Sequence, residues 1–423
     1  MLPVKLLQAQ HYDTFRCIGA ECEDTCCDGW GVTVDRKTYD KYQNCGDPEL
    51  RSSFRDLVTI NTAATSNDDY AMFKLTETHC PFLAQGLCSI QTKLGEDYLS
   101  DTCATYPRAM TREGDVLERT LDLSCPEAAR VVLLDPNPLR FEEKDANGHN
   151  FRTGNVFVPD TPNAGYGDKP YPYFREVRGL VVTLLQERVY PLWQRLVIVS
   201  YLCDKLDELA ETGNDQDVPR VIQGYLEATQ HHLFDELLVK IEARPAEQFA
   251  TTVELIVSRI TSDFTARRFL DCYQEFLTGL EWTQASTMND LVERYQEAYY
   301  AYYAPLMEQH PSVMEHYLLN YVYRNVFPFD RMETNRRAGI RHISNSIRAQ
   351  FLLMATYYSV IKTVGIGMAA FRKSAFGLDE IVKVIQCSTK TFQHSISFPK
   401  RAVDFLRAKG MNHALSAAVL VRN

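Results

Sequence analysis

Eight of the nine cysteines in the first 125 residues, all but Cys45 in the turn QNCGDPE, constrain this chain more than any other feature. Four fall in CIGAECEDTCC (17–27), two of them adjacent, and four more in HCPFLAQGLCSI, SDTCATYPR and LSCPEAAR. Their spacing is Cys17-x4-Cys22-x3-Cys26-Cys27, then Cys80-x7-Cys88-x14-Cys103, then Cys125. A small secreted domain uses such density to staple itself together, but 423 residues with 45% hydrophobic content can build an ordinary core. The N-terminal MLPVKLLQAQHYDTF carries no apolar run of signal-peptide length. No run of eighteen apolar residues occurs either; the nearest, 179–202, is broken by Gln186, Glu187, Arg188, Pro191 and Arg195. The expectation is a soluble cytoplasmic protein without a transmembrane segment. In that reducing compartment clustered thiols serve as metal ligands or catalytic groups more often than as disulfides. A net charge of −10 argues against nucleic acid as partner, since phosphate neutralisation demands clustered Lys and Arg.

The cysteines also divide the chain, because nine of the twelve precede residue 126. The first segment reads as irregular, with short strands at GWGVTVD (29–35) and DYAMFKL (69–75) and a hairpin over 108–123 turning at Glu113-Gly114-Asp115. Pro, Gly, Asn and Asp then dominate 135–172, the composition of a linker or long surface loop. From Tyr173 the period becomes helical: Phe174, Val177, Val181, Leu184 and Leu185 form one apolar stripe, and Val253, Ile256, Ile260 and Phe264 another. Breaks at EARPAE, GLEWTQAST, EQHPSV, FPFDRM and FGLDE leave eight to ten helices. The fold class is α+β overall and mainly α: a cysteine-rich metal-binding domain with short strands (1–134), a linker (135–172) and an all-helical domain (173–423). Cys203 and Cys272 lie on apolar stripes of the latter and read as core.

Three uses of the early thiols compete: a disulfide framework, structural zinc, and an iron–sulfur cluster. Zinc favours C-x2-C pairs, which are absent here. Cys80-Pro81 and Cys125-Pro126 repeat a Cys-Pro pairing found at cluster ligands. Cys125 opens an apparent helix, with Pro126 at its first position and Glu127 in its first turn, where the positive helix end favours thiolate. A hairpin folded about Gly114 would bring Cys103 and Cys125 opposite one another. Adjacent Cys26 and Cys27 point different ways, so one centre mixes ligands from 17–27 with ligands from 80–125, or there are two centres. Arg16 and Arg108 flank ligand positions and could offset the charge of a thiolate-bound cluster.

FRCIGAECEDTCCDGWGVTVD, CPFLAQGLCSIQTKLGEDYLSDTCATYPR and, downstream, HYLLNYVYRNVFP (316–328) resemble the flagellin lysine-N-methylase family. The first two blocks also resemble a wider group of cysteine-rich domains taken to chelate zinc or iron. The resemblance covers nearly the whole chain and is tightest over 12–35 and 78–108. It implies an enzyme that transfers a methyl group from S-adenosylmethionine to surface lysines of flagellin in the bacterial cytoplasm. It also implies a [4Fe–4S] cluster, with zinc as the alternative, among Cys17, Cys22, Cys26, Cys27, Cys80, Cys88, Cys103 and Cys125; it does not say which four.

Motifs for the cofactor are missing. VGIGMAAF (364–371), the one glycine pair of Rossmann type, sits in a helical region and reads as helix packing. The radical spacing C-x3-C-x2-C fails at its third position, which is Gly29. Methylation needs a neutral lysine amine, so the site must lower a pKa of about 10.4 or remove the proton during approach, typically in a desolvated pocket lined by tyrosine hydroxyls and carbonyls. The tyrosines of YQEAYYAYYAP (295–305), and Tyr317 and Tyr321 on one helical face, offer such groups; aromatic core at helical spacing is the competing use. Tyr317 and Tyr321 are the candidate catalytic pair. Arg337 and Arg341, with Arg348 on one face of RRAGIRHISNSIRAQF, are candidates to meet the donor's carboxylate or an acidic face of flagellin, with a solvated helix face as the competing use. The rival functions are a non-catalytic metal-binding interaction module and an electron-transfer protein.

Overall fold

The computed structural model describes residues 5–64, 66–113, 115–145, 156–157, 171–262, 264–329 and 346–423. The chain forms two compact units, Met1–Asp135 with Leu139–Pro159, and Pro136–Pro138 with Asp160–Asn423.

The first unit holds a five-stranded sheet in the order β10-β7-β8-β1-β9. At its centre β7 (Arg108–Glu113) and β8 (Val116–Leu121) form the expected antiparallel hairpin, paired from Arg108↔Leu121 to Glu113↔Val116. Its midpoint falls between residues 114 and 115 rather than on Gly114, so the register differs by one from the expected one. The ladder also ends before either cysteine: Cys103 lies in helix α4 (Asp101–Thr105) and Cys125 at the start of α5 (Pro126–Leu133). β1 (Lys5–Ala9) pairs parallel with β8 and antiparallel with β9 (Phe141–Lys144), while β10 (Val156–Phe157) pairs parallel with β7. The stretch read as a linker thus supplies both edge strands. An edge strand needs only one partner and little apolar surface, so FEEK gives no alternating signal.

A second sheet, β2-β4-β3 (Thr33–Val34, Ala71–Phe73, Val58–Ile60), takes in the two short strands expected at 29–35 and 69–75. It shares a core with α1 (Arg36–Gln43) and α2 (Pro48–Leu57), where Tyr42 stacks on Phe54 at 3.9 Å and Phe82 meets both Phe54 and Phe73. Cys45, Cys80, Cys27, Cys88 and Cys103 belong to this packed core.

The second unit is helical, with thirteen α-helices among the described residues, two of them only four and six residues long. Without those two short pieces eleven remain, one more than the eight to ten expected. At its centre runs Ile347–Arg372, buried on every side from Ala349 to Ala369. Among the described residues this helix, not 179–202, is the one long and apolar enough to cross a membrane by composition, and its apolar stretch is wholly buried. An all-round apolar helix is what a helical core needs at its middle. Residues 179–202 instead split at Pro191 into Phe174–Gln186 and Leu192–Thr212. The glycine pair does pack helices. A Cβ on Gly367 would stand 2.3 Å from the Phe276 ring, and one on Gly279 would stand 2.2 Å from the Gly367 carbonyl.

Candidate metal centre

Each candidate ligand is delivered by a local device of the first unit. Cys17 accepts from the Gly19 backbone N–H at 3.4 Å, in a turn where Gly19 takes φ +58°. Cys22 closes the short turn Gly19–Glu21. Between Cys22 and Cys26, Glu23 accepts from Arg130 of α5 at 2.5 and 3.2 Å, which fastens the first thiol loop to the helix that Cys125 opens. The Trp30 indole donates to the Cys26 carbonyl at 2.7 Å and its ring rests on Tyr106. Cys27 and Cys80 lie opposite one another beside the bridge Asp28↔His79, and the Cys80 N–H donates to the Cys27 carbonyl at 2.8 Å.

The remaining three stand at helix starts. Cys88 ends β6 (Leu87–Cys88) and is the N-cap of α3 (Ser89–Leu94); Cys125 is the N-cap of α5, with Pro126 and Glu127 where the sequence places them. Cys103 sits in the first turn of α4, and its N–H donates to Ser100 Oγ at 3.3 Å. Asp35 fixes α4, taking the Asp101 N–H at 3.0 Å on one oxygen while it caps α1 through the Thr38 N–H on the other.

Burial pushes the Cys103 and Cys125 thiols up to about 12 and also raises Cys88. The backbone N–H groups of Ala128 and Glu127 at Cys125, and of Gln91 and Ile90 at Cys88, pull the other way. N–H groups so placed favour the thiolate form at these positions, the form a metal ligand takes. Cys103 and Cys125 do not meet as a cross-strand pair; each has Cys26 as a neighbour.

Seven of the eight thiols, all but Cys80, line one cavity of about 580 Å³. As they stand, no three Cys, His, Asp or Glu side chains among the described residues are close enough to share a single ion. The cavity's other wall is cationic and aromatic. Arg108 lies 5.0 Å from the Phe15 ring centroid, and Arg108 and Arg119 lie 6.0 and 5.3 Å from that of Tyr12. Sequence reasoning reached Arg16 and Arg108 but missed Arg119, Tyr12 and Phe15. Only the strand register, which sets Arg119 opposite Met110, brings Arg119 to this wall.

In the helical unit, Tyr317 and Tyr321 are 1% and 5% exposed. The Tyr317 hydroxyl accepts from Gln393 Nε2 at 3.0 Å, and the Tyr321 ring meets Tyr357 at 5.9 Å. Tyr295 and Tyr303 are buried as well, and Tyr299, at the start of the π-helical turn Tyr299–Tyr303, stacks on Tyr303 at 6.1 Å. Both members of the candidate pair are therefore packed as core. Arg337 and Arg341, with Arg331, Arg336 and His342, lie outside the described residues; Arg348 pairs with Asp204.

Residues 178–420, more than half of the chain, match the FliB lysine N-methylase C-terminal domain. The chain belongs to the FliB lysine N-methylase family. Relatives of this family member include the lysine-N-methylases of Salmonella typhimurium and Salmonella choleraesuis. Each is 33% identical over 146 residues, 34% of this chain and 36% of the relative. The flagellar biosynthetic protein FliU of Salmonella muenchen is 34% identical over 133 residues, 31% of this chain and 78% of that protein. The chain thus spans about a third of the length of the curated lysine-N-methylases it matches. No solved structure matches it.

Proposed function

We propose that this protein is a lysine N-methyltransferase that uses S-adenosylmethionine to methylate flagellin in the cytoplasm, and that its cysteine cavity holds a [4Fe–4S] cluster. Membership of the lysine N-methylase family carries the activity. The flagellar name of the FliU relative supports flagellin as the substrate.

The cavity supports the metal assignment. A tetrahedral zinc site gathers four ligands about 2.3 Å from one point. The thiols here instead ring a space, with backbone N–H groups aimed at several of them, as suits a body several atoms across. Bound there, a cluster would cross-link the thiol loop, α3, α4 and α5, and it can exchange single electrons. The ligand set is drawn from the seven cavity-lining cysteines, with Cys80 behind Cys27.

The transfer itself is a displacement. The lysine nitrogen lone pair forms the N–C bond, the sulfonium S–C bond breaks, S-adenosylhomocysteine leaves, and the amine's surplus proton passes to a base or to water. The protein must present that amine neutral, which desolvation achieves. The helical core does this to one of its own side chains: burial lowers the pKa of Lys362 to about 7.

The deciding experiment incubates the anaerobically purified chain with flagellin and S-adenosylmethionine and follows intact flagellin by mass spectrometry. Stepwise gain of methyl groups on lysine is the expected result. Metal-replete protein that binds no methyl donor and leaves flagellin unchanged would be a metal-binding module instead.

A further inference from the structure

The cationic wall of the cysteine cavity has a feature that the thiols do not explain. Arg108 and Arg119 project from the same face of the β7–β8 hairpin. Register pairs Arg108 with Leu121 and Met110 with Arg119, so the two arginines are diagonal neighbours across the strands. Arg119 is 9% exposed, its Nη1 donating to Gln8 Oε1 at 3.3 Å, and it is near enough to Arg108 for the two cations to repel. The partners of Arg108 are the Phe15 carbonyl, at 3.4 Å, and the faces of Phe15 and Tyr12. No carboxylate among the described residues forms an ion pair with it. The Asp13 carboxylate accepts from the Gln8 amide at 2.7 Å and also attracts Arg119, so Arg108 is the less compensated of the two.

Two guanidinium groups drawn together in a sheltered wall, one without a carboxylate, form a receptor for an anion. The cavity, of about 580 Å³, is of small-ligand size, and Tyr12, Phe15, Leu99 and Met110 give it apolar sides.

We propose that Arg108 and Arg119 are a carboxylate-binding subsite, which holds the amino-acid end of the methyl donor inside the cysteine cavity. The planar fork of each guanidinium matches a carboxylate, whereas a diffuse cluster charge makes no such geometric demand. This inference rests on the methyl-donor reading above, and it places the donor in the first unit, beside the thiols.

The test uses the full-length, anaerobically purified, metal-loaded protein. Calorimetry compares S-adenosylhomocysteine, which carries the carboxylate, with methylthioadenosine, which lacks it; iron content is measured on every sample. The parent should prefer S-adenosylhomocysteine by about tenfold or more, the worth of a charge-assisted hydrogen bond. Arg119→Gln and the more exposed Arg108→Gln should each erode that preference while methylthioadenosine affinity and iron content stay unchanged. Arg108→Lys, which keeps charge but loses the fork, should restore only part of it. A preference that survives both glutamine variants overturns the subsite while leaving the methyltransferase reading intact. So does a preference lost only together with iron, since the arginines would then serve the metal centre. If the parent binds neither nucleoside, the methyl-donor reading itself fails and the subsite with it.

Discussion

Replacing Lys362 by Met should stabilise the protein near neutral pH and lose that advantage as pH rises. Lys362 is 4% exposed, its Nζ donates to the Val421 carbonyl at 2.7 Å, and it lies 5.4 Å from the Tyr358 ring centroid. Burial lowers its pKa from 10.5 to about 7. The unfolded chain keeps the ordinary value, so between those two values the unfolded state binds a proton that the folded state lacks. Stability therefore rises with pH across this window, by up to about 1.4 kcal/mol per unit. At about pH 7 the ionisation costs the fold about 4 kcal/mol relative to an uncharged side chain, and at about pH 9 only about 2 kcal/mol. Lys362→Met abolishes that cost but strands the Val421 carbonyl, which returns about 1–3 kcal/mol. The variant should be more stable than the parent by about 1–3 kcal/mol near pH 7, and the two should converge near about pH 9. The neighbouring tyrosines do not confuse the measurement: burial pushes Tyr295 up to about 12 and also raises Tyr358, so both stay neutral throughout. Urea unfolding of both proteins, followed by far-UV circular dichroism at several pH values, gives the difference directly. A difference that does not change with pH would show that Lys362 titrates alike in the folded and unfolded chain, and the desolvation argument would be wrong.

Anaerobically purified protein should be brown, with about four irons per chain for one cluster; stoichiometric zinc without iron would refute the cluster. Cys26→Ser or Cys125→Ser should lower iron content and soluble yield, because metal affinity is part of the folding free energy, whereas Cys203→Ala in the helical unit should leave iron content unchanged. Gly367→Ala should cost at least about 1–3 kcal/mol through overpacking against Phe276, read as a lowered unfolding midpoint. Tyr317→Phe should cost about 1 kcal/mol by removing the acceptor for Gln393, with iron content intact; a hundredfold fall in methylation at unchanged stability would instead assign that hydroxyl to the lysine site.

The cysteine block, the hairpin, the helix opened by Cys125 and the helical character beyond Tyr173 all depend on short-range rules, so the sequence by itself determined them. Proline at a helix's first position, glycine at a turn and a repeat of three to four residues act within a few residues of one another. Tertiary structure decided what depends on contacts across long loops. Which thiols face a common cavity depends on Asp35 tying α4 to α1 and on Glu23 tying the first loop to α5, pairings 66 and 107 residues apart. The edge strands inside the expected linker form because the sheet has open edges, which FEEK does not encode by its own pattern. Arg119 reaches the cavity through strand register, and the Lys362 pKa is lowered by burial within the helical core. In each case the local residue type was legible, but its chemistry was set by what the fold placed beside it.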